Sequence, residues 1–310
     1  MQIKAIKPAE FERIIVDTTV QEKAIAYPVD SRLLEIARHK VVHAAKRVGI
    51  SLRSVKRQRS ILGIVMREVQ CKLDAQSLAL AAGSAHVQAP SSPKELGANQ
   101  KAITQLQSLL ERAERIRTQQ RKDKNKLYAL HAPEVECLAK GKARKPYEFG
   151  VKVSLAVTHK QGLMVGAKRF AGNPYDGNTL ADQLEQTNSL LDNIGVKPTT
   201  AVVDLGFRGI DEDVAPVNVI HRGKFKSLTQ EEKRWLKRRQ AIEPMIGHTK
   251  SDNRIDRCWL KRSTGDALHA LGCAAGYCAS RYQAGFFAPV IRGCDGADMH
   301  QISIQLATVY

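Results

Sequence analysis

A long, basic helical block separates the first β-strand expected in this chain from all of its later strands. The apolar run Arg13–Val16 predicts a short strand. Apolar residues then recur at helical spacing from Arg32 to Ala82, with a break at Gly49–Ser51, and a second helix is expected from Asn99 to Lys126. A sheet that contains the first strand and the later ones must therefore accept this block as an insertion.

The second half of the chain alternates between strands and helices. Tyr147–Thr158 predicts a strand that pairs with Leu163–Phe170 across a turn containing glycine. A helix capped by Thr179 and closed by Gly195 follows. Later segments predict two more strands, one long helix and a final helix, at Thr200–Val203, Val217–Ile220, Gln230–Lys250 and Gly272–Tyr282. This order favours an α/β fold with a mixed sheet flanked by helices.

The charge of the chain favours a polyanionic partner. Lysine and arginine number 49 against 31 acidic residues, a formal net charge of +18, and nucleic acid is the partner that this excess favours. No apolar run is long enough to span a bilayer, and the N-terminus lacks a signal-peptide core. Cations crowd the helical block, where we expect a phosphate-binding surface that includes Arg53, Lys56, Arg57 and Arg59.

The cysteines indicate a reducing compartment. None of the six forms a Cys-x-x-Cys pair, which disfavours a zinc ribbon. Cys273 and Cys278 lie in an Ala/Gly-rich helical run and are interpreted as small buried residues. A cytoplasmic location fits this usage.

Three acidic residues are candidates for a catalytic site. Asp17 and Asp204 each follow an apolar strand, and Glu243 lies on the long helix. Arg239 is four residues before Glu243 and Lys250 is seven after it, so the three share one helical stripe. Carboxylate oxygens suit Mg²⁺, and a pair of such ions can clamp both oxygens in phosphoryl transfer.

Each acidic residue also has a purely structural interpretation. Asp17 could cap a strand, and Asp204 could be a turn residue before Leu205–Gly209. Asp30 and Asp176 compete for the catalytic role, but the first suits a helix N-cap and the second suits a turn. The order of the strands favours the catalytic interpretation of the set. Pro244, directly after Glu243, predicts a kink or break in the helix.

Several ordered motifs resemble those of DDE transposases of bacterial insertion sequences, in the IS-five-like group. They are Val16–Gln21, His131–Cys137, Lys145–Gly150, Gly172–Gly177, Asp204–Gly209 and Arg239-x3-Glu243-x6-Lys250. The resemblance implies an RNase H-like core with a helical insertion after the first acidic strand. It also implies strand cleavage by water with Mg²⁺ or Mn²⁺, followed by attack of the freed 3′-OH on target DNA.

The resemblance assigns roles and partners. Asp17, Asp204 and Glu243 correspond to the metal ligands, and Arg239 and Lys250 to residues near the DNA backbone. The implied partners are double-stranded transposon ends and target DNA, bound by a homodimer. The expected organisation is residues 1–27 as the first strand of the core, 28–130 as the basic insertion, 131–262 as the rest of the core, 263–284 as a covering helix and 285–310 as an irregular tail.

Two features depart from the family pattern. Leu236 stands where the family has a tyrosine three positions before the arginine, and only a short segment precedes Asp17. The second departure leads us to expect a copy truncated at its N-terminus. Two other functions stay open at this point, a metal-dependent nuclease that cuts without joining and an inert remnant that only binds DNA.

Overall fold

A computed structural model describes residues 7–50, 59–81, 93–120, 122–124, 126–140, 145–209, 212–214 and 216–282. These residues form two compact units. One combines the residues up to Ala24 with those from Gly150 onward, and the other runs from Ile25 to Phe149. Within the described ranges, no helix is both long and apolar enough to cross a membrane. Arg53, Lys56 and Arg57 and the tail 285–310 lie outside the described residues, and Arg59 is the first residue of a helix.

The first unit is built on a mixed sheet, as the order of the elements predicts. Its strands are β1 (Arg13–Glu22), β3 (Tyr147–Thr158), β4 (Met164–Phe170), β5 (Thr200–Val202) and β6 (Asn218–Ile220). The short strand β2 (Glu136–Ala139) precedes β3 in the chain and belongs to the other unit. The order across the unit is β4-β3-β1-β5-β6. β3 is antiparallel to β1 and β4, whereas β1, β5 and β6 run parallel.

The first strand is longer than predicted. We expected it to end before Asp17, but β1 continues to Glu22 and is paired with β3 along its length. The residues after Asp17 include Thr18, Thr19 and Val20, whose β-branched side chains favour extended backbone. Asp17 is therefore held inside a paired strand, and its interpretation as a strand cap is wrong.

Helices cover both faces of the sheet. They are α4 (Leu180–Leu191), α5 (Gln230–Arg238), α6 (Ile242–Ser251) and α7 (Arg262–Tyr282). Ile14, Val16 and the alternate residues of β5 pack on α4. Ile15 and Val202 face the other way, against Leu236, Ile242 and Met245 of α5 and α6. Val151, Val153 and Leu155 of β3 and Ala167 of β4 pack on α7. On that helix Cys273 is buried, as predicted, and Cys278 is half-buried.

The long helix predicted from Gln230 to Lys250 is interrupted. α5 ends at Arg238, one 3₁₀ turn covers Arg239–Ala241, and α6 begins at Ile242. Pro244 explains the interruption, because its nitrogen has no hydrogen to donate and its ring clashes with the carbonyl of the preceding turn. The break predicted from Pro244 is confirmed, and it leaves that residue in the first turn of α6, where proline is tolerated.

The described residues of the second unit form three helices around a core of their own. They are α1 (Asp30–Arg47), α2 (Arg59–Ala81) and α3 (Pro93–Thr118), and their apolar faces form one cluster. Asp30 begins α1, but Val29 occupies the N-cap position and no side chain caps it, so the predicted capping is wrong. α3 stops at Thr118 rather than Lys126, because Gln119 exchanges two hydrogen bonds with the backbone of Leu127.

Candidate active site

The sheet register brings Asp17 and Asp204 to the same level of neighbouring strands. Ile15 of β1 pairs with Val202 of β5 in parallel register. Each aspartate stands two residues beyond its member of this pair. Because side chains two apart point to the same face, both carboxylates lie on the face that packs against α5 and α6.

One guanidinium stands among all three candidate carboxylates. Arg239 Nη1 lies 3.4 Å from Asp17 Oδ2, and Arg239 Nη2 lies 3.4 Å from Asp204 Oδ1 and 3.8 Å from Glu243 Oε1. The arginine side chain is 14% exposed, whereas those of Asp204 and Glu243 are 50% and 67% exposed. The 3₁₀ turn and the first turn of α6 therefore place a largely buried cation against carboxylates from β1, from the segment just after β5 and from α6.

Asp17 is the carboxylate whose chemistry is most altered by the fold. Its side chain is 19% exposed, and burial raises its pKa from 3.8 to about 6. The Thr18 amide, which donates a 2.8 Å hydrogen bond to Asp17 Oδ1, and the charge of Arg239 both oppose this rise, while Asp204 and Asp176 add to it. A carboxylic acid whose pKa is strongly raised by burial is common at functional sites.

Asp176 is a residue of this region that the sequence interpretation assigned only to a turn. Its Oδ1 accepts hydrogen bonds of 2.9 Å from the Thr18 hydroxyl and from Lys152 Nζ. It also lies against the loop after Asp204, where a Cβ at Gly206 would be 3.1 Å from its second oxygen. The sequence signal for a role of Asp176 in the site was its position in the Gly172–Gly177 motif. Its partners Thr18 on β1 and Lys152 on β3 are distant in sequence, so the contacts themselves could not be predicted.

The three carboxylates match a divalent metal in chemistry. Their oxygens are the hard ligands that Mg²⁺ prefers. Over the part of the chain that the structure describes, no three His, Cys, Asp or Glu side chains are close enough together to hold an ion as they stand. Arg239 lies between the carboxylates. The metal-binding role of the three residues stays a prediction.

Comparison with protein families assigns the chain to a family. Residues 113–279, just over half of the chain, match the family described as Transposase DDE domain. The chain belongs to the DDE transposase family. The matched segment of this transposase contains Asp204, Arg239, Glu243 and Lys250, while Asp17 lies before it.

A second comparison finds a short but close similarity. The chain is 51% identical over 53 residues to the "Uncharacterized protein ORF8 in nfe locus" of Rhizobium meliloti. The matched stretch is 17% of this chain and spans 26% of the length of that relative. No solved structure matches the chain.

The structure also locates the residues that flank the carboxylates in this transposase. Lys250 lies two turns beyond Glu243 on α6 and is half-buried. Leu236, which replaces the tyrosine of the family pattern, is buried in the core beneath α5. The neighbouring Trp235 carries the aromatic surface instead, and its ring stacks on the guanidinium of Arg13 at 3.4 Å.

Proposed function

We propose that this chain is a DNA transposase of the IS-five-like group with an RNase H-like catalytic core, which cuts DNA at insertion-sequence ends and joins the freed ends to a target. The observation that carries the proposal is the gathering of Asp17, Asp204 and Glu243 around Arg239. Carboxylates from two adjacent strands and one helix, beside a cation, suit a reaction that moves a phosphoryl group. Family membership supports the same reaction class.

The three carboxylates would hold Mg²⁺, or Mn²⁺ in its place. When bound, such ions supply positive charge to the attacking and leaving oxygens of the phosphodiester. Asp17 must be ionised to serve as a ligand, so its raised pKa makes the site weak in acid. The backbone of Asp17 is fixed because this residue lies inside a paired strand, and the hydrogen bond from the Thr18 amide fixes the orientation of its carboxylate.

Arg239 and Lys250 would bind the DNA backbone on either side of Glu243. A guanidinium binds phosphate through charge-assisted hydrogen bonds, and its planar shape allows two at once. In the protein alone Arg239 neutralises the carboxylates that surround it. On DNA the same group would turn toward a phosphate, which brings the scissile strand next to the carboxylates.

The test is a cleavage and joining assay on DNA that borders the gene for this chain. Wild-type protein with Mg²⁺ should nick this DNA, and the 3′-OH ends should appear joined to a second plasmid. Glu243→Gln should abolish both products. The matched control is Glu185→Gln, because the Glu185 side chain is 79% exposed on α4, on the opposite face of the sheet.

The outcomes separate the possible functions. Nicks without joined products would identify a nuclease rather than a transposase. DNA binding without any nick, in wild type as in Glu243→Gln, would identify an inert DNA-binding protein. The homodimer that the family resemblance implies would be seen as a doubling of mass when the protein is bound to an end-containing duplex, measured by light scattering.

A further inference from the structure

A basic cleft shares Arg239 with the candidate active site. It has a volume of about 330 Å³ and is open to solvent. Four cations and an exposed aromatic ring line it, together with the buried Leu236. These lining groups are Arg222, Phe225, Lys233, Lys237 and Arg239. Nothing in the family match assigns a role to this cleft.

Three cations of the cleft lie on α5 and on the 3₁₀ turn that carries Arg239 into the candidate active site. Lys233 and Lys237 are four residues apart on α5 and therefore share one face of that helix. Arg239 follows in the next turn and touches both the cleft and the three carboxylates. A chain of phosphates that lay along the two lysines would thus arrive at the site through Arg239.

Phe225 gives the cleft a flat apolar surface. Half of this residue is exposed to solvent, and Lys233 Nζ lies 5.1 Å from the centroid of its ring. A ring beside cations is the combination with which proteins bind unpaired bases. A duplex keeps its bases stacked inside, so it would use the cations but not the ring.

The segment that carries Phe225 is fixed by its own hydrogen bonds. His221 Nδ1 accepts from the Gly223 amide at 3.0 Å, and Lys224 Nζ donates to the Val219 carbonyl at 3.1 Å. On the other side Thr229 and Glu232 form a capping box at the start of α5. The backbone on both sides of Phe225 is therefore held in place before any ligand arrives, which lowers the entropy lost on binding.

We propose that this cleft binds a single DNA strand next to the cut, with its phosphates on Lys233, Lys237 and Arg239 and one unpaired base stacked on Phe225. The inference rests on the proposed function for the identity of the ligand as DNA. It adds that the bases beside the cut are unpaired when the strand enters the site. A base of any type would fit, since stacking reads no sequence.

The first experiment compares binding of a short oligo-dT strand with binding of an abasic strand of equal length, by fluorescence anisotropy in EDTA. Wild type should prefer oligo-dT by about 5- to 100-fold, the range of one stacked base. Phe225→Leu should remove this preference, and Phe225→Trp should keep it. Lys237→Ala should weaken the binding of both strands equally and reduce the slope of log affinity against log salt concentration by about 0.7. Arg234 is exposed on the same helix but lies outside the cleft, so Arg234→Ala should leave this slope unchanged.

A second experiment localises the strand. An oligonucleotide with one 5-iodouracil should, on irradiation, crosslink to the peptide that contains Phe225. Crosslinks found only in other peptides would overturn the proposal, as would a preference for oligo-dT that survives in Phe225→Leu. Poly-glutamate can compete for the cations but cannot stack on the ring. The proposal is therefore also overturned if poly-glutamate displaces oligo-dT from wild type as easily as from Phe225→Leu. These readouts need no catalysis. A protein that stacks the base but never cuts DNA would refute the proposed function and leave the cleft assignment standing.

Discussion

Asp17→Asn is expected to stabilise the folded chain at neutral pH while it removes a metal ligand. Burial raises the pKa of Asp17 from 3.8 to about 6, so the ionised carboxylate is less favourable in the folded state than in the unfolded chain. Asparagine has no charge to desolvate. Its side-chain oxygen can still accept the hydrogen bond from the Thr18 amide. A functional carboxylate that lowers stability is the trade-off known from many active sites.

The magnitude follows from the pKa rise and depends on pH. A rise from 3.8 to about 6 corresponds to a penalty of about 3 kcal/mol when Asp17 is ionised in both states. Below pH 3.8 the group is protonated in both states and contributes nothing. Between these values the folded state holds the extra proton, so stability falls as pH rises. Because the side chain is 19% exposed, we expect Asn to gain about 2 kcal/mol at pH 8 and about 1 kcal/mol or less at pH 4.5.

Urea unfolding in EDTA, followed by tryptophan fluorescence, measures this gain. Both tryptophans, Trp235 and Trp259, lie in the unit that contains Asp17, so the signal reports on the correct unit. Asp204→Asn is the matched control, because it removes an equal charge from a side chain that is 50% exposed and should change stability by less than about 0.5 kcal/mol. An Asp17→Asn protein that is no more stable than wild type at pH 8, or whose gain does not shrink toward pH 4.5, would refute the reasoning.

Three further predictions follow from the structure. Glu243→Gln should lower the Mn²⁺ affinity measured by calorimetry and keep the DNA affinity, whereas Arg239→Ala should weaken DNA binding without lowering the Mn²⁺ affinity. Equal losses of both affinities in the two variants would indicate that the helix has only a structural role. Asp266→Ala should lower the free energy of unfolding in urea by about 3–5 kcal/mol, because it removes the carboxylate that pairs with the buried Lys23, and a loss below about 1 kcal/mol would contradict this. Gly150→Ala should lower the free energy of unfolding by about 1–3 kcal/mol, since its Cβ would lie 2.0 Å from the backbone oxygen of Gln21. A Cβ at Gly247 on α6 would meet nothing within 4 Å, so Gly247→Ala should be neutral or stabilising in the same assay.

Local patterns in the sequence predicted the type of most elements. Alternation gave the bounds of β3 correctly, and Pro244 predicted the break before α6 because its effect depends only on the adjacent turn. The full length of β1 was missed, since Asp17 has low strand propensity and only its pairing with β3 holds it extended. The part that Asp176 takes in the site was missed because it too depends on a distant contact, since Thr18 lies 158 residues away in sequence.

The position of the second unit in the chain explains how so large an insertion is compatible with the sheet. The chain leaves the sheet after Glu22 and returns at Gly150, and these two residues are paired across β1 and β3. The inserted segment therefore begins and ends at neighbouring points of one hairpin-like pair. Closing a long connection costs only slightly more free energy than closing a short one, because the entropy grows with the logarithm of length. The inserted helices bury a core of their own, so the register that aligns Asp17 with Asp204 does not depend on a short connection between β1 and β3.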